Sequence, residues 1–133
     1  MKKVPIMRIA RATHNIEQIV KMYTSGLGLN VIDSFQDHEG FDGVILGNTK
    51  WPYHLEFTKH HSTIKEEIPK SHPEDALVFY YGDEKLWLNA CKKMLTSGFK
   101  ASKSINPYWN KCGAVFLDCE DRRIILVKNG WNI

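Results

Sequence analysis

Apolar positions recur along this chain with two periods, and the change from one to the other marks its elements. Over Tyr53–His60 the period is two: Tyr53, Leu55 and Phe57 form an apolar face, and His54, Glu56, Thr58 and His60 a polar one, which predicts a half-buried strand. Residues 4–12 read as an earlier strand, with Ile6, Arg8 and Ala10 pointing one way and Met7 and Ile9 the other. Between them the period lengthens. Ile16, Ile19, Val20, Tyr23 and Leu27 make one helical stripe, opened by Asn15 as a cap with Gln18 as its reciprocal partner, and closed by Gly26 and Gly28. Leu29–Phe35 and Phe41–Gly47 read as two further strands, joined by the polar turn QDHEG.

After a polar stretch at 61–75, with two prolines, the order restarts. DALVFYYGD predicts a strand and Asp83 a cap. Trp87, Ala90, Cys91, Met94 and Leu95 supply a second helical stripe, and FKASKS reads as a short strand. Thr96-Ser97-Gly98 closes the second helix as Thr24-Ser25-Gly26 closes the first. An aromatic loop, NPYW, leads into two apolar runs, GAVFL and RIILV, around the acidic turn DCED, which is the pattern of a β-hairpin. The chain thus reads as strand, helix and three strands, repeated at an offset of roughly 70 residues.

Composition narrows the class. With 133 residues, 43% hydrophobic and 25% charged, the chain suits one globular domain rather than a disordered segment. The net charge of +3 is dispersed, with no basic run interleaved with aromatics, which argues against nucleic-acid binding. No apolar run approaches the roughly 20 residues that span a bilayer, and Pro5 and Arg8 break the run after the N-terminal lysines, so neither a membrane segment nor a signal peptide is expected. Three cysteines, Cys91, Cys112 and Cys119, are odd in number and lack metal spacing; they read as free thiols in a reducing cytoplasm.

The pieces IEQIVKMYTSGLGLNV, HLEF and NPYW…GAVFLDCEDRRIIL, in this order, resemble the vicinal-oxygen-chelate superfamily of glyoxalase I, bleomycin- and fosfomycin-resistance proteins and extradiol dioxygenases. The resemblance implies an α+β fold in one glyoxalase/bleomycin-resistance-like domain. It has two βαβββ modules, about 4–60 and 76–128, whose sheets form an open cup with the helices outside. It also implies homodimers, by side-by-side pairing or by swapping of modules.

Catalytic members of that superfamily hold a divalent metal in the cup. The resemblance lays their ligand positions on Arg8, Glu56, Ala76 and Ile125. Glu56 alone offers a metal-binding side chain. A guanidinium has no lone pair to give, and a cation roughly 4 Å from it is repelled by several kcal/mol. Divalent sites need about three or more donors. No cofactor is therefore expected.

The expected function is binding of a small organic molecule. Arg8 and Glu56 would form the polar floor, with His54 beside them, and Tyr80, Tyr108 and Trp109 the walls. Arg8 with Glu56 reads equally as an internal ion pair, and Trp109 as a cap on the core. The alternative is a metal-dependent lyase, isomerase or transferase, with Glu56 as ligand and His54 and His60 recruited. No catalytic residue is assigned, and no nucleophile motif or phosphate loop is present.

Overall fold

The structure is a computed structural model, and it describes residues 3–131. Its order is β1 (Met7–Ala12), α1 (Ile16–Leu27), β2 (Asn30–His38), β3 (Phe41–Gly47), β4 (Tyr53–His60), β5 (Leu77–Tyr80), α2 (Glu84–Thr96), β6 (Lys100–Ser102), α3 (Pro107–Cys112), β7 (Gly113–Leu117) and β8 (Arg123–Val127). A 3-10 turn, Lys65–Glu67, lies in the polar stretch between the repeats. The fold is α+β. The chain divides into two compact units at Pro69 and Lys70, with the last turn of α1, Ser25–Leu27, counted with the second.

The two units repeat one topology. The first sheet runs β1-β4-β3-β2 and the second β5-β8-β7-β6; the outer strand β1 or β5 is parallel to its neighbour and the others are antiparallel. A parallel neighbour requires a crossover, and α1 or α2 supplies part of it.

In the first unit, Val44 pairs with Phe57 and Leu46 with Leu55, so all four share one face of the sheet. They are buried together with Ile19, Met22 and Tyr23 of α1, and the rings of Tyr23 and Phe57 stand 5.0 Å apart. The stripe on α1 is held in register by its caps. Asn15 Oδ1 accepts from the Gln18 amide at 3.1 Å, and Asn15 Nδ2 donates to Gln18 Oε1 at 3.3 Å.

The helix runs through Gly26 to Leu27, and Gly28, at φ +71°, takes the left-handed cap. Gly98, at φ +97°, is the left-handed residue after α2. The Thr-Ser-Gly echo therefore does not mark equivalent positions: in α1 the left-handed residue comes two places later.

Three further expectations are corrected. The first strand begins at Met7, whose amide donates to Pro52 O at 2.8 Å. The QDHEG turn is mostly strand. His38 still pairs with Phe41, and only Glu39 and Gly40, at φ +53° and +87°, make the reversal. A bulge between Phe35 and His38 absorbs the polar residues, with the Asp37 amide donating to Asp42 Oδ1 at 2.8 Å. The NPYW loop is the start of helix α3. Asn106 caps it by accepting from the Tyr108 amide at 3.0 Å, Pro107 fills its first turn, and the Asn110 side chain clasps Ser104 through two bonds of 2.9 and 2.8 Å.

In the second unit, Met94 and Phe99 are buried, as are Phe116, Ile124 and Leu126 of the hairpin. Trp87 anchors α2 by donating its indole N–H to Leu126 O at 2.8 Å. Leu95, expected in the inner stripe, is exposed; Met94 alone of α2 is fully buried. The β7–β8 turn is tied by Asp118 Oδ1, which accepts from the amides of Glu120 and Arg122 at 2.8 and 3.0 Å, above a buried Glu120–Arg122 ion pair at 3.6 Å.

Candidate ligand-binding face

The strand register of the first unit decides which side chains meet. Arg8 lies opposite His54, and Glu56 opposite Ala10, on adjacent parallel strands. Because side chains alternate, Arg8, His54 and Glu56 share the face turned away from α1. Arg8 Nη1 is 4.0 Å from Glu56 Oε1, and Arg8 Nη2 is 3.5 Å from His54 Nδ1. The first distance is an ion pair without a hydrogen bond, and the second is at the limit of one. Arg8 retains 42% of its side-chain exposure and Glu56 only 18%. A guanidinium only donates, so His54 Nδ1 is the acceptor and a neutral ring carries its proton on Nε2.

His60 is not part of this group. It stands four residues along β4 from Glu56, about 13 Å at strand rise. Its Nδ1 lies 2.6 Å from Ser62 Oγ, and its ring packs edge-on to Phe41 at 4.8 Å. Among the described residues, no three His, Cys, Asp or Glu side chains are grouped so as to hold a metal ion.

A second polar cluster, around His61, was not anticipated from the sequence. His61 Nε2 is 3.0 Å from Asp42 Oδ1, and its Nδ1 is 3.7 Å from Asp37 Oδ1. Asp42 is held below its usual carboxyl value, first by the Asp37 amide and then by His61. The signal was the polar run after Phe35: a bulged strand end needs an acceptor for its freed amide, and Asp42 across the turn supplies it.

The second unit carries the three aromatic candidates, Tyr80, Tyr108 and Trp109. Trp109 packs with Cys112, Ala76 and Val78 against a core of Val115, Ile125 and Val127. Its ring thus covers apolar core. Ile125 is 0% exposed. Tyr80 and Tyr108 remain open, the latter 56% exposed. Tyr108 stands edge-on to Trp109 at 5.1 Å, and Tyr80 meets Trp131 at 5.6 Å. The Tyr108 phenol is pushed above its usual value, first by Cys112, then by burial and by Tyr80.

The metal position of the superfamily is poorly matched by these residues. Arg8 brings a fixed positive charge, Ala76 and Ile125 bring no donor, and Ile125 is sealed in apolar packing. Two cavities among the described residues lie elsewhere. One of about 530 Å³ sits in the first unit between Ile16 and Val20 of α1 and Val31 and Phe35 of β2. Another, of about 560 Å³, lies in the second unit between Gly82–Glu84 and Lys128–Gly130. Neither is lined by Arg8, His54 or Glu56.

Paired βαβββ modules of this topology define a member of the vicinal-oxygen-chelate, glyoxalase-like superfamily. Within it the chain belongs to the YycE-like family: the YycE-like N-terminal domain matches residues 7–58 and the YycE-like C-terminal domain residues 74–128. The YycE protein of Bacillus subtilis (strain 168) is 34% identical over 123 residues, 92% of this chain and 87% of that protein. The crystal structure of B. subtilis YycE, a protein of unknown function, superposes with a TM-score of 0.85 at 35% identity, over 95% of this chain and 90% of that one. More distant structures share the fold. Trypanothione-dependent glyoxalase I of Leishmania major gives a TM-score of 0.72 at 15% identity, over 96% and 88% of the two chains. TnmS3, an antibiotic-binding protein from Streptomyces sp. CB03234, gives 0.66 at 14%, over 98% and 99%. No helix among the described residues is long and apolar enough to cross a membrane.

Proposed function

We propose that this chain binds a small organic molecule on the polar strand face of its first unit, without a divalent metal. One observation carries the reading. Where a metal would need donors, the chain supplies a guanidinium at Arg8 and a buried, sealed methyl-bearing side chain at Ile125. A lone carboxylate, Glu56, is too few donors for a divalent ion. The same residues suit recognition: Arg8 is exposed, lies within 4.0 Å of Glu56 and 3.5 Å of His54, and has N–H donors left over. A binding protein on this fold has precedent in TnmS3, which matches almost end to end.

The rival reading is a metal-dependent enzyme of the glyoxalase type, favoured by Glu56 and His54 sharing one face. Metal content separates the two. Chelator-cleaned native chain and Glu56→Ala are each incubated with Mn, Fe, Ni or Zn and then desalted. The binding reading expects no stoichiometric metal in either. One metal per chain, lost in Glu56→Ala, would overturn it and direct work to lyase and transferase assays.

A further inference from the structure

The geometry points to the chemical class of the ligand: a neutral group that presents a hydrogen-bond acceptor and a donor side by side, as an amide, lactam, imide or α-hydroxycarbonyl does. This inference rests on the metal-free binding reading and specifies it.

Arg8 and Glu56 face each other across 4.0 Å without bonding. That gap is too long for a hydrogen bond of 2.7–3.2 Å, so neither group is spent on the other. Arg8 has five N–H donors, and its closest side-chain acceptor, His54 Nδ1, stands at 3.5 Å. Glu56 is mostly buried, and the guanidinium of Arg8 stands opposite it on the neighbouring strand. One edge of the site therefore donates and the other accepts.

The spacing fits one kind of group. The oxygen and nitrogen of an amide lie about 2.3 Å apart by covalent geometry. Two ordinary hydrogen bonds of about 2.9 Å, splayed slightly outward, connect such an edge to a donor and an acceptor 4.0 Å apart. The ligand oxygen takes an N–H of Arg8, and the ligand N–H or O–H gives to a Glu56 oxygen. A carboxylate would satisfy Arg8 but turn a second anionic oxygen toward Glu56. An amidinium would satisfy Glu56 but set donor against donor at Arg8. The pair carries no net charge, so neither ion is drawn by long-range attraction.

The test uses three isosteric probes on metal-free full chain: benzamide, benzoate and benzamidinium, followed by amide chemical shifts of 15N-labelled protein. Benzamide is expected to shift the signals of β1 and β4 around Arg8, His54 and Glu56, with a Kd about fivefold or more below those of the two ions, the size of one hydrogen bond lost. Glu56→Gln removes the opposing charge, and benzoate is then expected to tighten by about tenfold. Arg8→Met is expected to abolish the benzamide preference. Thermal unfolding of both variants is followed in parallel, but the native chain alone can decide. Benzoate binding more tightly than benzamide would overturn the donor–acceptor inference and leave the small-molecule reading intact. Failure of all three probes to move β1 and β4 up to their solubility would also overturn it. A stoichiometric metal that depends on Glu56 would instead remove the reading beneath it.

Discussion

Phe35 lies across Gly43, its antiparallel partner on β3, so closely that a methyl on Gly43 would stand 2.2 Å from Cζ of the ring and 2.4 Å from Cε1. Gly43 pairs in turn with Thr58 on β4, so the ring shares the sheet face of Glu56. No small rotation clears the methyl, because it meets the ring at three atoms. Gly43→Ala is expected to cost about 1–3 kcal/mol, the usual size of overpacking. In a Phe35→Ala background the same change should be neutral or mildly stabilising, since alanine restricts the unfolded chain more than glycine does. Urea unfolding of the four proteins of this cycle checks the coupling. Additive effects would mean that the ring does not lie over Gly43.

Trp87 makes a polar link between α2 and the strand beneath it. Its indole N–H reaches Leu126 O at 2.8 Å, and Leu126 is fully buried. Trp87→Phe keeps most of the apolar body and deletes the donor. The expected loss is about 1–2 kcal/mol, one hydrogen bond with a little packing. Trp87→Ala should cost about 3 kcal/mol or more by adding a cavity. A Phe variant as stable as the native chain would show that the bond contributes nothing.

The strands that were legible in the sequence are those whose two faces differ. β4 alternates cleanly because Leu55 and Phe57 meet α1 while His54 and Glu56 do not, and its bounds match at both ends. The hairpin of β7 and β8 was legible for the same reason, with an acidic turn between two apolar runs. β2 was read too short because an edge strand with a bulge loses its alternation after Phe35. α3 was missed because six residues hold too few turns to show a period, although Asn106 followed by Pro107 is a helix start. The grouping of Arg8 with Glu56 was readable through the resemblance alone, since it needs β1 beside β4 across the 40 residues between them, and parallel strands leave no local mark. That their side chains stop 4.0 Å apart is a matter of rotamers, which no pattern encodes.

Asp42 gives the fold a defined acid response. Its carboxyl is held below 3.8 by the Asp37 amide first and His61 second. A folded value below the unfolded one adds stability above the unfolded value, and that stability is lost as pH falls through the folded value. Asp42→Asn is therefore expected to be less stable than the native chain near neutral pH, with the difference closing below about pH 4. Because the leading cause is a backbone hydrogen bond, the difference should survive high salt, which screens the His61 pair. Urea midpoints across this pH range, with and without salt, check both points. A difference that salt erases would make His61 the main cause.

Cys119 gives the opposite limb. Burial first, then the carboxylates of Asp118 and Glu120, push its thiol from 9.0 up to about 12. At pH 8 the folded thiol is therefore kept almost wholly protonated, whereas a thiol in the unfolded chain is ionised in appreciable part. Because the thiolate is the nucleophile, iodoacetamide should label Cys119 far more slowly in the native protein than in urea, as read by peptide mass. The sign for stability follows from the same shift. The unfolded chain ionises first, so stability falls as pH rises from about 9 toward 12, and Cys119→Ala should remove that part of the alkaline slope. Equal labelling rates in the native and unfolded states would mean that the β7–β8 turn does not enclose the thiol.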